Sequence, residues 1–187
     1  MEGESGPGPM SPATAGLRFE EDRKEAATST AIITGASRGF GHALASELAR
    51  AGWDLVIDAR SQADLAAAAG TIDDAGKGRV VAVTGDVTDH RHAIDLVEEA
   101  VAIGDFSLLV NNASLLGPSP QPPLADYPIE VFEAVLAANL VAPLRLIQLS
   151  LPYLRQTGGA VVNITSDAAV EAYDGWGGYG SSKAALE

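Results

Sequence analysis

The chain has 187 residues, with 25 acidic against 12 basic side chains, a formal net charge of -13 and no cysteine. That length suits one domain with a single buried core, and the acidic balance argues against a nucleic-acid or anionic-membrane partner, since both need a cationic surface. The absent thiols exclude disulfides, thiolate metal sites and cysteine nucleophiles. No apolar run approaches membrane-spanning length, and the first thirty residues lack the apolar core of a secretion signal, so a cytoplasmic location is expected.

Residues 1–28, "MEGESGPGPMSPATAGLRFEEDRKEAAT", are rich in Gly, Pro, Ser and charge. Such a segment buries too little to offset its ordering entropy, which predicts a disordered tail ahead of a domain over 29–187. From there, short apolar runs alternate with helical patterns. "AIIT" (31–34) reads as a strand, and "GHALASELARAG" as a helix closed by Gly52. "DLVIDA" (54–59) is a second strand, followed by a helix whose Ser61 and Asp64 resemble a capping box. "RVVAVT" (79–84) is a third strand, with a helix over His90–Ile103, and "SLLVN" (107–111) a fourth. A long helix follows Pro128, with a disturbance expected at Pro143. "AVVNIT" (160–165) is a fifth strand, and a last helix starts near Tyr179. This alternation, with near-continuous apolar strands, predicts a Rossmann-type α/β fold: a doubly wound parallel sheet covered by helices on both faces.

"TGASRGFG" directly follows the first strand and holds Gly35, Gly39 and Gly41, with Ser37, Arg38 and Phe40 between them. A glycine turn between strand and helix lets a pyrophosphate approach bare N–H groups at the positive end of the helix dipole. An ordinary tight turn is the alternative, but the flanking elements favour nucleotide binding. Asp58 lies about twenty residues beyond the turn, a position that elsewhere binds a ribose 2′-hydroxyl and selects NAD. Strand parity instead brings Ala59 and then Arg60 to the ribose side. Arg38, Arg60 and Ser61 together suit a 2′-phosphate, which favours NADP(H) over NAD(H).

Tyr179 and Lys183 are four residues apart and share a helix face. A phenol titrates near 10 and is a poor base at neutral pH, but an adjacent ammonium favours its charged form. Ser166, at the end of the fifth strand, offers a hydroxyl for an oxygen on which negative charge builds. Asn139 is costly if buried, and a helix-bending residue bonded to backbone is its alternative reading. His42, His90 and His92 show no metal-ligand spacing, so no metal site is expected. "DGWGGYG" reads as a loop forming part of an active-site wall, and "GPSPQPPLADYP" as a Pro-rich loop beside the cleft.

Six ordered motifs resemble the short-chain dehydrogenase/reductase family: "TGASRGFG", "GDVTD" (85–89), "NNAS" (111–114), Asn139 in "AANLVAP", Ser166 in "VVNITSDAA" and "YGSSK" (179–183). The resemblance implies that Asp86 bonds the adenine amino group with Val87 beside the ring. It also implies that Asn112, Ala113 and Ser114 line the cofactor, Ser114 standing where the family usually has glycine. Asn139, Ser166, Tyr179 and Lys183 become the catalytic set, with Asn139 holding a water that passes protons to Lys183, and Tyr179 and Lys183 also contacting the nicotinamide ribose. The implied activity is hydride transfer between a nicotinamide and a carbonyl or alcohol carbon of a small-molecule substrate, in an enzyme that forms a homo-oligomer through the long helix. Family members continue past the last helix with two further strands and a substrate-covering segment. The resemblance therefore implies the N-terminal portion of a longer enzyme, truncated here with the fifth strand left as a sheet edge. An inactive nucleotide-binding or interaction fragment is the rival reading.

Overall fold

A computed structural model describes residues 28–187; apart from Thr28, the expected tail lies outside the described residues. Five strands form one parallel sheet: β1 (Ser29–Ile33), β2 (Asp54–Ala59), β3 (Val80–Thr84), β4 (Asp105–Asn111) and β5 (Ala160–Asn163). Their spatial order is β3-β2-β1-β4-β5, so chain direction across the sheet reverses between β1 and β4. A cleft opens there at the carboxyl ends of the strands, where such sheets bind ligands. The helices are α1 (Gly39–Arg50), α2 (Gln62–Ala75), α3 (His90–Ile103), α4 (Ile129–Leu136), α5 (Ala142–Thr157) and α6 (Gly177–Leu186).

The central strands β1 and β2 are largely apolar because both of their faces are covered. Ala31, Ile33, Leu55 and Ile57 point to one side and pack with Ala45, Ala49, Leu65 and Ile72 of α1 and α2. The intervening Ile32 and Val56 point to the other side, against Leu96 and Val97 of α3 and Leu146 and Leu154 of α5. All four strand residues of the first set are fully buried, and truncating a buried isoleucine such as Ile33 to alanine costs about 2–5 kcal/mol in a core of this kind. At the outer edge, β5 leaves Val161 and Val162 partly exposed.

Side chains cap two of the helix starts, Ser61 at the position read from the sequence. Ser61 accepts from the Asp64 N–H at 3.3 Å, and Asp89 accepts from the Arg91 N–H at 2.8 Å. Helix α1, like α4, α5 and α6, has no side-chain cap, and its first turn carries no acid.

Two local expectations are corrected, and the start of the last helix near Tyr179 is located more closely. β5 stops at Asn163 rather than at 165, because the Ile164 carbonyl accepts from the Lys183 ammonium at 2.7 Å instead of extending the ladder. The last helix begins at Gly177, two residues before Tyr179. The disturbance expected at Pro143 lies just upstream, in a π-helical turn over Ala137–Val141. There the Ala142 N–H reaches back to the Ala137 carbonyl in a wider loop, and Pro143, which has no N–H to donate, follows in the first turn of α5.

That turn joins α4 to α5 in one helix, Ile129–Thr157, long and apolar enough by length and composition to cross a membrane, contrary to the apolar-run expectation. Glu130, Glu133 and Arg145 interrupt the run in sequence. The apolar content has a local cause: Leu146 and Leu154 enter the core against β4 and α3.

Candidate active site

The cleft holds about 780 Å³ and is lined by residues from five segments, one of them Ala134, Ala137 and Ala138 of α4 and the π-helical turn after it. From the glycine turn come Gly35, Ser37 and Arg38, and from the end of β2 come Asp58, Ala59, Arg60 and Ser61. Asp86, Val87 and Thr88 follow β3, and Asn112 to Leu115 follow β4. Ten of the expected cofactor residues therefore meet in one cavity. Gly39, Phe40, Gly41, Tyr179 and Lys183 are not on its lining; Phe40 is 58% exposed.

The turn is built for close approach. Gly35 has φ +66°, and a Cβ there would sit 2.9 Å from the Ala113 Cα. A Cβ at Gly41 would overlap the Asn112 amide nitrogen and lie 2.8 Å from the Gly35 carbonyl. At Gly39 a Cβ would meet nothing, so this part of the backbone faces open space. Uncapped N–H groups at the start of α1, beside an open cavity, fit the pyrophosphate of a dinucleotide.

The second wall is fixed to the first by Thr34, a residue that no local sequence pattern singles out. Its Oγ1 accepts from the N–H groups of Asn112 and Ala113, both at 3.0 Å, while the Asn112 amide donates to the carbonyls of Thr34 and Gly35. Asp86 Oδ1 accepts from the Thr88 N–H and hydroxyl at 2.9 and 2.8 Å. The Thr88 backbone bond is the leading cause holding the Asp86 carboxyl below the usual carboxylate range, with the charges of Arg60 and His92 assisting.

Asp58 borders the cleft, but its side chain is committed inward: Oδ1 accepts from the Gly35 N–H at 2.6 Å and Oδ2 pairs with His92 Nε2 at 2.9 Å. Arg38 and Arg60 have no ion-pair partner among the described residues.

On α6, the Lys183 ammonium lies 5.7 Å from the centre of the Tyr179 ring and is almost fully buried. Burial pushes Lys183 below its ordinary pKa of 10.5. Asn139 is fully buried and satisfied. Its oxygen accepts from the Leu115 N–H (2.7 Å) and the Ser114 hydroxyl (3.2 Å); its nitrogen donates to the Leu115 carbonyl (2.9 Å) and Ser182 Oγ (3.0 Å). An amide has two donors and two acceptor positions, so a proton-passing water finds no free place on this side chain. The Asn139 amide instead ties the π-turn to the cleft wall and to α6, where Ser182 in turn donates to the Tyr179 carbonyl at 2.6 Å.

Ser166 caps the short turn Asp167–Ala169, and its hydroxyl donates to Asp167 Oδ1 at 3.0 Å. Asp167 Oδ2 accepts from the Tyr173 hydroxyl at 3.0 Å. The Tyr173 bond, then the Ser166 bond, hold the Asp167 carboxyl below its ordinary range, and the carboxylate pushes the Tyr173 phenol up. Tyr173, Trp176 and Tyr179 follow as edge-to-face rings 6.1 and 6.0 Å apart. The acid immediately after Ser166 was visible in sequence, but nothing there said that its partner would be Tyr173.

The Pro-rich loop and the "DGWGGYG" turn interlock. A Cβ at Gly177 would sit 2.7 Å from Leu124 Cδ1, and one at Gly178 would overlap the Tyr127 ring. Tyr127 is 6% exposed, and its hydroxyl has no partner among the described residues. Its phenol is pushed up by burial. An unpaired buried hydroxyl is a liability, so Tyr127→Phe is expected to raise stability by roughly 1 kcal/mol in a denaturant melt. A loss of that size instead means the hydroxyl has a partner.

Comparison with known proteins gives a consistent picture. A family model described as short chain dehydrogenase matches residues 29–187. The short chain dehydrogenase asqE of Emericella nidulans is 40% identical over 169 residues, covering 86% of this chain and 62% of that protein. The chain thus spans about three fifths of the length of that curated relative. Among solved structures, an alcohol dehydrogenase from the archaeon Thermococcus sibiricus, complexed with 5-hydroxy-NADP, superposes with a TM-score of 0.79 at 31% identity, covering 85% of this chain and 67% of that one. An NAD+-bound xylitol dehydrogenase gives 0.78 at 27% identity, covering 85% and 60%.

Proposed function

Because the chain belongs to the short-chain dehydrogenase family, we propose that it is an oxidoreductase acting on a carbonyl or alcohol carbon of a small molecule, with NADP(H) favoured over NAD(H). The observation that carries this is the pairing of Lys183 with Tyr179 on α6, in a fold whose glycine-turn cleft suits a dinucleotide. When bound, the nicotinamide group supplies or takes the hydride. Gly35, Ser37 and Arg38 would hold its pyrophosphate end, Asp86 and Val87 the adenine, and Asn112 to Ser114 the central part.

The chain's own residues handle the oxygen and its proton. Tyr179 exchanges a proton with the substrate oxygen. Lys183 places a positive charge beside the phenol, which assists proton release. The Ser166 hydroxyl, donated here to Asp167, turns by rotation about its own side chain toward that oxygen and stabilises the charge developing on it. The rival reading, an inactive nucleotide-binding fragment, has less support, because the family match runs over residues 29–187 and takes in Asn139, Ser166, Tyr179 and Lys183.

The NADP(H) preference rests on Arg38 of the glycine turn and on Arg60 and Ser61 just after β2, where two guanidinium groups without an ion-pair partner among the described residues suit a 2′-phosphate. Fluorescence titration is expected to show tighter binding of NADPH than of NADH. Arg60→Ala is expected to erase a preference of about tenfold or more, the weight of one charge-assisted contact. Equal binding of the two dinucleotides by the unaltered chain overturns the preference.

A further inference from the structure

Resting on the dinucleotide reading of the cleft, we propose that Asp58 and His92 are a buried positioning pair that sets the glycine turn from beneath, and that Asp58 takes no part in choosing between the two dinucleotides. Asp58 grips two successive N–H groups of the turn. Its carboxylate Oδ1 accepts from Gly35 at 2.6 Å, and its main-chain carbonyl accepts from Ala36 at 3.0 Å. The other carboxylate oxygen is held by His92 Nε2 at 2.9 Å. With Asp58 only 1% and His92 6% exposed, neither side chain has surface left for a ribose.

The imidazole reaches a second part of the cleft. A Cβ at Gly85 would overlap the His92 ring, so the ring lies directly against the backbone that leads into Asp86. The Gly85 N–H is itself bonded to the Ala59 carbonyl at 3.1 Å. One ring from α3 thereby fixes the turn expected to hold the pyrophosphate and the loop expected to hold the adenine. An ionised carboxylate accepts only, so Asp58 also sets which His92 nitrogen carries a proton toward it. A carboxylate that read the ribose would present an oxygen to the cleft and repel a 2′-phosphate; this one presents neither oxygen.

The two roles give different binding ratios. Asp58→Asn is nearly isosteric and is expected to weaken NADPH and NADH binding alike, by about five- to tenfold, leaving their ratio within about twofold of the unaltered chain. His92→Phe, which removes the donor, is expected to do the same. His92→Gln keeps an N–H near the place of Nε2 and is expected to recover most of the affinity. A readout without ligand accompanies these: amide exchange in a peptide covering residues 33–38 should quicken in Asp58→Asn while the thermal midpoint of the whole chain moves little. A shift of the ratio toward NADPH by more than about tenfold in Asp58→Asn makes Asp58 a ribose contact and overturns the proposal. So does unchanged affinity in both Asp58→Asn and His92→Phe, or an affinity loss explained by the unfolded fraction alone. If the unaltered chain binds neither dinucleotide, the cleft reading itself falls and takes the pair's assigned purpose with it.

Discussion

Replacing Tyr179 by phenylalanine is expected to leave the fold in place while lowering turnover about 10²- to 10⁴-fold, the weight of a positioned acid–base group. The structure makes this a clean substitution. The Tyr179 hydroxyl donates to nothing among the described residues, and its ring packs edge-on against Trp176 at 6.0 Å, a contact phenylalanine keeps. The local bonds that shape α6 around it are main-chain and Ser182 bonds, which do not involve the phenol. Oxidation of NADPH with a panel of ketones, followed by absorbance in the unaltered and substituted chains, checks it. Turnover within tenfold of the unaltered chain removes Tyr179 from the chemistry.

Lys183→Met is expected to lower turnover by at least about 10², the cost of one lost electrostatic group at a reacting centre, and to weaken dinucleotide binding, while costing little stability at neutral pH. The side chain is 2% exposed, so its charge is desolvated, and burial pushes its pKa down from 10.5. The sign follows from proton binding. Between the lowered folded value and 10.5 only the unfolded chain still holds this proton, so stability rises with pH through that window. Below it, both states are charged and the full desolvation penalty stands. Methionine carries no such penalty, although it gives up the bond to the Ile164 carbonyl, worth about 1.5–3 kcal/mol when the donor is charged. Relative to the unaltered chain, the methionine variant is therefore at its best near neutral pH and loses ground as pH approaches 10.5. Melts across that range test it, and a gap that widens in the variant's favour at high pH contradicts the assignment.

What could be read in the sequence was whatever depended on neighbours along the chain. The extent of β2 and of α3, the cap at Ser61, the glycine turn and the Tyr179–Lys183 spacing all follow from periodicity, capping chemistry and local φ preference. What escaped depended on partners far apart in sequence. Asn139 was recognisable as a polar group with a burial problem, but its solution comes from Leu115 and Ser182, 24 and 43 residues away. The commitment of Asp58 to His92, 34 residues on, is likewise invisible to strand parity, which assigns a face to a side chain but not a partner. The π-turn lies just upstream of Pro143, a place that the proline's missing N–H does not mark in sequence.

The meshing of Gly177 and Gly178 with Leu124 and Tyr127 has a practical consequence for anyone reshaping what this cleft accepts. Because these glycines precede Tyr179 by two and one positions, the Pro-rich loop and the Tyr179 phenol are geared together. Enlarging or trimming a tooth at Leu124 or Tyr127 shifts the phenol as well, so variants selected for a new ligand will tend to arrive slow, and their speed will return through compensating changes on the opposite tooth.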